Sequence, residues 1–245
     1  MLDRHFAKLR ARGSLSAQEA EAIRSAVSHV ERHPADTTIV RAHVVQNHST
    51  LLLDGILCRF KDLRNGERQI TELHVAGDFA DLHSFTLKYL DHDVMSLTPC
   101  QVAIVPHDAL REITERFPSL SRLYWFSTNL DAAIHREWEV SLGRRTAVAR
   151  VATLLCELQL RLYVVGLANR RGFDLPLTQL DLAECLGLTN VSVNRALREL
   201  REKGLAMSEK SRISILDRAE LWRAADFDPR YLYLPIGRII AELGP

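Results

Sequence analysis

Between Gly187 and Leu200 the chain reads GLTNVSVNRALREL, and Asn190, Ser192, Asn194 and Arg195 crowd the start of an otherwise amphipathic segment. Asn and Ser are mediocre helix formers that prefer caps and turns, so a helix that opens on them needs a reason. Their chemistry supplies one. Side-chain amides offer a donor and an acceptor side by side, and guanidinium offers a fork of donors, both suited to flat hydrogen-bonding edges. Asn pairs with adenine edges, Arg with guanine, and an apolar side chain meets a thymine methyl. Asn190, Val191, Asn194 and Arg195 are the candidate base-reading residues. Thr178, Thr189, Ser192, Arg198 and Lys210 suit phosphate contacts, which position a protein on nucleic acid without reading its sequence.

Those side chains need a scaffold, and the flanking sequence provides the signals for one. Thr178 caps a predicted helix in LTQLDLAECLGL that Gly187 ends. Thr189 caps a second helix, TNVSVNRALRELREKG, closed by Gly204. Two short helices on a tight Gly-containing turn are the signature of a helix-turn-helix. Leu180, Ala183, Leu186, Leu188, Val193 and Leu197 are the expected core between them. LAMSEKSRISILD then reads as two strands round a polar turn, a wing behind the second helix. Residues 189 to 212 hold six cations against three anions, a net +3 where the whole chain is +1. Basic charge is local here, which excludes a histone-like coating protein but not a sequence-specific binder.

The rest of the chain has a different character. Ser16 and Glu19 fit a capping box, and Ala20, Ile23, Val27 and Val30 recur at helical spacing, predicting a helix over 16–30. From about residue 37 short β-branched runs alternate with turn signals, and Gly55, Gly66 and Gly77 lie eleven residues apart. Asn65-Gly66 predicts a type I′ hairpin, and the whole reads as a compact β-roll or barrel. HDALREITERFP is helical up to Pro118, and residues 119–142 run 24 residues without Gly or Pro. Leu120, Leu123, Leu130, Ile134 and Trp138 lie near one face of this long helix, which packs either on its own domain or on a copy of itself. Gly143 is the expected hinge before the helix in RRTAVARVATLLCELQLRLYVVG, and LANRRGFDLP is a turn-rich connector.

Composition narrows the class. The chain of 245 residues is 26% charged and 47% hydrophobic, ordinary for a soluble globular protein. No apolar run reaches the ~20 residues of a membrane span, and MLDRHFAKLRARGSLS lacks the apolar stretch of a secretory signal. A cytoplasmic location without membrane partners is expected. Cys58, Cys100, Cys156 and Cys185 are isolated, with no CxxC or zinc spacing, and read as buried small hydrophobes. No HxH, GxSxG, P-loop or HExxH occurs, so an enzyme is not expected. All ten histidines lie at or before His135, a sign that the two ends do different work.

The segment LTQLDLAECLGLTNVSVNRALRELREKGL (177–205), with the turns DGIL (54–57), NGER (65–68) and AGDF (76–79), resembles the Crp/Fnr family of bacterial transcription regulators. The resemblance covers nearly the whole chain. It implies an α+β fold: an N-terminal antiparallel β-roll of the cyclic-nucleotide-binding kind (1–118), a dimerisation helix and hinge (119–143), and a C-terminal winged helix-turn-helix with an extension (144–245). It also implies a homodimer on double-stranded DNA with an inverted-repeat operator, Leu120, Leu123, Leu130, Ile134 and Trp138 at the dimer interface, and RNA polymerase as a further partner. A ligand-binding β-roll dimer that does not touch DNA is the alternative.

Departures from the family matter as much. Asn190 and Val191 stand where many members carry an Arg or Glu reader, so a different half-site is expected. Members that bind cyclic AMP use a Gly-Glu pair and an Arg-Ser pair; this chain has Gly77-Asp78, and Leu90-Asp91 near the place of the second. Between Gly77 and Pro99 the only cation is Lys88, which leaves little for a phosphate. Gly77, Asp78 and His83 are nonetheless the candidate ligand-pocket residues. The N-terminal cysteine cluster of the iron–sulfur branch is missing, since the first cysteine is Cys58. His74, His83 and His92 with nearby Asp residues match no standard metal spacing. No cofactor and no metal are expected, and the effector is left unassigned.

Overall fold

The computed structural model describes residues 1–243. Contacts divide it into two units: Met1–Glu67 with Thr71–Ala132, and Arg68–Ile70 with everything from Ala133 onward. The elements of the first are α1 (Asp3–Arg10), α2 (Ala17–Ser25), β1 (His29–His33), β2 (Thr37–Val40), β3 (His48–Asp54), β4 (Ile56–Asp62) and β5 (Arg68–Val75, which the division cuts). Then come α3 (Ser84–Leu87), β6 (Asp93–Ser96), β7 (Cys100–Pro106) and α4 (His107–Arg116). The long α5 (Pro118–Arg144) begins in this unit and ends in the second. The second unit continues with α6 (Ala147–Val164), β8 (Ala168–Asn169), β9 (Gly172–Asp174), α7 (Gln179–Leu186), α8 (Asn190–Glu202), β10 (Ala206–Glu209) and β11 (Arg212–Ile215). It closes with α9 (Arg218–Ala225), a 3-10 turn at Pro229–Leu232 and α10 (Ile236–Leu243).

The roll consists of two antiparallel sheets, ordered β1-β7-β3 and β2-β6-β4-β5. Strands β3, β4 and β7 are largely buried on both faces, and the period of two sorts the side chains of β3 and β7 between two cores. Leu51, Leu53, Ala103 and Val105 enter a core with Phe6, Ile23, Leu110 and Leu120 of the helices. The intervening Leu52, Val102 and Ile104 face Leu57, Leu90 and Val94 inside the roll. That second core surrounds no free charge. Arg59, 2% exposed, donates to Ala80 O (2.8 Å), Glu72 Oε2 (2.6 Å) and Asp131 Oδ2 (2.8 Å). Asp81, fully buried, accepts from Thr50 N at 2.5 Å and from Thr50 Oγ1 at 3.2 Å, and burial still raises its pKa to about 7.

Several local expectations are corrected. The capping box of α2 forms, with Glu19 N on Ser16 Oγ and Ser16 N on Glu19 Oε2, but the helix stops at Ser25. Ser28 then donates its N–H and its hydroxyl to Ile104 O, which draws Val30 into β1 opposite Ala103. The Asn65-Gly66 hairpin is not type I′, because positive φ falls on Gly66 and not on Asn65. Gly66 N donates to Leu63 O and Leu63 N to Glu67 O, the pattern of a type I turn closed by a glycine bulge. Pro118 opens α5 as its first residue, where a missing N–H costs nothing. Gly143 is not the hinge: α5 runs through it to Arg144, and the break falls at Arg145–Thr146, where Thr146 turns extended to cap α6. The connector 167–176 pairs as β8 and β9 and extends the wing sheet.

In the second unit α6 is the central post, buried without interruption from Val151 to Leu162. Glu157, fully buried on it, accepts from Trp138 Nε1 (3.1 Å), Tyr231 OH (2.8 Å) and Arg161 Nη1 (2.8 Å). The C-terminal part of α5, the post and the segment after α9 are thereby joined at one carboxylate. A buried charge this fully answered holds geometry, and removing any partner leaves it exposed to desolvation cost.

Candidate nucleic-acid interface

Local hydrogen bonds place α7 and α8. Thr178 Oγ1 accepts from Asp181 N, and Asp181 accepts from Thr178 N (2.6 Å) in a reciprocal cap. Gly187, in the left-handed conformation, ends α7, and Thr189 Oγ1 accepts from Ser192 N (3.2 Å) to start α8. From α6, Arg150 donates to Leu186 O (3.0 Å) and to Leu142 O (2.6 Å), capping the ends of α7 and α5 with one guanidinium. Leu182, Ala183, Cys185 and Leu186 are buried on α7, and Val193, Ala196 and Leu200 on α8. Leu180 is not part of this core. It is 55% exposed, on the side of α7 turned away from the centre of the buried face.

What α8 leaves outward is a row of recognition chemistry. Asn190, Val191, Asn194, Arg195, Arg198 and Arg201 are all exposed, Val191 at 74%. Val191, Asn194, Arg195, Arg198 and Arg201 line one open groove together with Gln179 and Ser208 of the wing. The wing strands pair from Ala206↔Ile215 to Glu209↔Arg212, and Lys210 stands at their turn with φ 53°. Ion pairs already engage two cations of this region: Lys203 with Glu199 (2.6 Å) and Arg212 with Asp174 (3.0 Å). Among the described residues Arg195, Arg198, Arg201 and Lys210 have no such partner.

The candidate backbone contacts divide. Arg198 and Lys210 are open, whereas the hydroxyl protons of Thr178 and Thr189 are donated to Asp181 Oδ2 (2.7 Å) and Ser192 Oγ (3.0 Å). Ser192 keeps its proton. Four groove residues were not among the sequence's site candidates: Gln179, Leu197, Arg201 and Ser208. Arg201 stands one turn beyond Arg198, so helical spacing marks it; Gln179 is visible only through the partner it meets across the turn.

The candidate ligand pocket does not assemble as expected. Gly77 and Asp78 line a small recess with His5, Lys8 and Leu9 of α1 and Ser127 and Thr128 of α5. The turn holds α1 closely: a Cβ on Gly77 would lie 2.8 Å from Arg4 O, and His5 Nδ1 donates to Gly77 O at 2.9 Å. Asp78 is ion-paired with Lys8 and accepts from Val75 N. His83 lies elsewhere, its ring 5.3 Å from that of His92. Burial, reinforced by Arg59, lowers its pKa to about 3. Among the described residues no three His, Cys, Asp or Glu side chains converge as metal ligands. No described helix is long and apolar enough to cross a membrane.

Three of the five expected dimer-face residues are covered within the chain. Leu120, Ile134 and Trp138 are 0%, 2% and 8% exposed within the single chain, Leu120 in the helix-covered core and Trp138 on Glu157. Side chains so covered have no surface left for a second copy. Leu123 and Leu130 are half-buried against the recess. Exposed positions of α5 include Arg122, Trp125, Asn129, Ala132, Arg136, Glu139 and Val140, with Pro118, Gly143 and Arg144 at its ends.

Comparison with known proteins agrees with this geometry. Residues 149–224 match the Crp-like helix-turn-helix domain, and residues 30–117 match the cyclic nucleotide-binding domain. A probable transcriptional activator of Rhizobium leguminosarum bv. viciae is 33% identical over 175 residues, 70% of this chain and 71% of that one. The nitrogen fixation regulation protein FixK of Bradyrhizobium diazoefficiens is 31% identical over 171 residues, covering 69% and 70%. The solved structure of FixK2 from Bradyrhizobium japonicum superposes with a TM-score of 0.73 at 25% identity, over 80% of this chain and 96% of that one. The chain belongs to the Crp/Fnr family and is a DNA-binding transcription regulator of that type, with α7 and α8 as its helix-turn-helix.

Proposed function

We propose that the chain works as a homodimer on an inverted-repeat operator, each α8 entering one of two successive major grooves about 34–36 Å apart. The observation that carries this reading is the exposed row on α8, where amide, valine and guanidinium tips stand outward and the guanidinium groups have no ion pair among the described residues. Asn190, Val191, Asn194 and Arg195 read bases, while Arg198, Arg201, Lys210 and Ser192 hold phosphates. Self-pairing draws support from α5. Among its exposed residues, Arg122, Trp125, Asn129, Ala132, Arg136 and Glu139 recur alternately three and four apart, the spacing of a coiled-coil seam, and Trp125 is 71% exposed.

Regulation proceeds without cyclic AMP or an iron–sulfur cluster in this reading. Asp78, where the resemblance puts the acid that holds a ribose, is already answered by Lys8 and Val75 N. RNA polymerase is the expected second partner, in keeping with the activator names of the relatives. The test is selection from a randomised duplex library by the full chain, with sedimentation to give its mass in solution. An enriched inverted repeat bound by a dimer is expected. A monomer, or no enriched sequence at low salt, overturns the proposal.

A further inference from the structure

We infer that Gln179 is a specificity-determining residue: it and Asn194 form an amide pair that fixes Asn194 for adenine. The inference rests on the DNA reading of α8 given above and adds a reader that does not belong to that helix. Gln179 is the first residue of α7, just inside the Thr178–Asp181 cap, so its backbone is held. Asn194 stands on the exposed face of α8, beside Arg195. Across the helix-turn-helix, Asn194 Nδ2 donates to Gln179 Oε1, and both side chains line the open groove with Val191, Arg195 and Arg198.

The consequence follows from the inventory of an amide. Asn has two N–H donors and one oxygen. With one N–H given to Gln179, the other N–H and Oδ1 remain. Adenine offers the complement in the major groove, an acceptor at N7 and a donor at N6. An unrestrained Asn turns over about its last torsion and presents nitrogen and oxygen in either order. In the observed orientation Gln179 turns its oxygen toward Asn194, and that oxygen accepts only from the nitrogen, so the pair selects one order before DNA arrives. Ordering a side chain in advance removes a cost that binding otherwise bears. The NH2 group of Gln179 itself remains a donor suited to a phosphate, so this side chain connects a base reader to the backbone.

The test uses the full chain and the duplex it selects from a randomised library, titrated at one fixed salt concentration against single-base-pair variants of that duplex. Wild type is expected to require adenine at one position of each half-site, with replacement weakening binding roughly 10–100-fold. Asn194→Ala removes that preference. Gln179→Ala is expected to reduce it to a few-fold while preferences at the other positions persist, and the double variant to lose no more of the adenine preference than Asn194→Ala alone. Gln179→Glu keeps an acceptor for Asn194, so it retains the adenine preference while weakening all duplexes by phosphate repulsion. The inference is overturned if Gln179→Ala weakens every duplex equally, if it leaves the adenine preference intact, or if Gln179→Glu loses that preference as Ala does. Enrichment of no duplex by wild type overturns the DNA reading itself. Gln179 is exposed, and the unfolding midpoint of each variant separates loss of reading from loss of fold.

Discussion

Arg59 in the roll and Arg195 on α8 are one side chain in opposite circumstances. Arg59 lies within a core, its donors committed to Ala80, Glu72 and Asp131, and burial surrounds the whole group. Arg195 is exposed and meets no carboxylate among the described residues. The same division runs through the polar residues around each. Asp81, Glu72 and Asp131 are answered internally or by Arg59, while Asn190, Asn194, Arg198 and Arg201 are turned outward. Charge neutralised inside a fold specifies that fold. Charge left outward on a well-capped helix is available for binding, and nearly all the folding cost of presenting it has been met by other residues.

Substitutions sharpen this contrast, beginning with the buried group. Arg59→Met should lower stability by about 3–5 kcal/mol, because Glu72 and Asp131 keep their burial and lose their counter-charge. Urea unfolding measures this. Arg195→Ala should change the same quantity by less than about 0.5 kcal/mol. Equal losses would erase the distinction between the two arginines.

Acid comes next. His5 is buried, and desolvation lowers its pKa from 6.5 to about 4. Below pH 6.5 the unfolded chain takes up a proton that the folded chain refuses until about pH 4, so stability is present above 6.5 and is lost as pH falls across that window. The loss for this group approaches about 3 kcal/mol. His5→Asn keeps a donor for Gly77 O and does not titrate, so its pH slope between 6.5 and 4 should be shallower. An unchanged slope would show that His5 is not responsible.

Two smaller effects concern the outward charges. Arg195→Ala should cost on the order of 1–3 kcal/mol in discrimination between the selected operator and a duplex altered at one guanine. A uniform loss across sequences would make Arg195 a phosphate contact instead. Lys210→Ala at the wing turn should leave the ranking of sequences unchanged and reduce the slope of log affinity against log salt by about 1. A steady slope would place the wing tip off the DNA.

The two units differed in how far the sequence disclosed them, for a physical reason. The helix-turn-helix is made of local signals: Thr178 with Asp181, Gly187, and Thr189 with Ser192 lie within a few residues of the structure they create. The turns of the roll were legible for the same reason. Arg59, Glu72 and Asp131 are brought together from different elements, and nothing in their spacing announces it. The short helix α1 draws its stability from Phe6 and Leu9 in a shared core, and no motif marks it. The apolar stripe on α5 identifies a buried face without saying what buries it. Leu120, Ile134 and Trp138 are covered by the chain itself. The Gln179–Asn194 pair spans a turn that sequence predicts, yet the amide contact depends on where two exposed tips meet.

Tyr231, which closes over Glu157, has a practical bearing on how this protein is cut and labelled. The match to the helix-turn-helix model ends at residue 224, but the folded unit does not. A fragment trimmed at that boundary would keep every DNA-facing side chain and strip a phenol from a buried carboxylate. It would also remove Leu243 O, to which Arg218 donates at 3.1 Å. Such a fragment should sediment as an aggregate or lose binding for reasons unrelated to recognition. For occupancy mapping in cells, an epitope belongs beyond residue 243 on a long flexible spacer, so that the tail can still seat before the label begins.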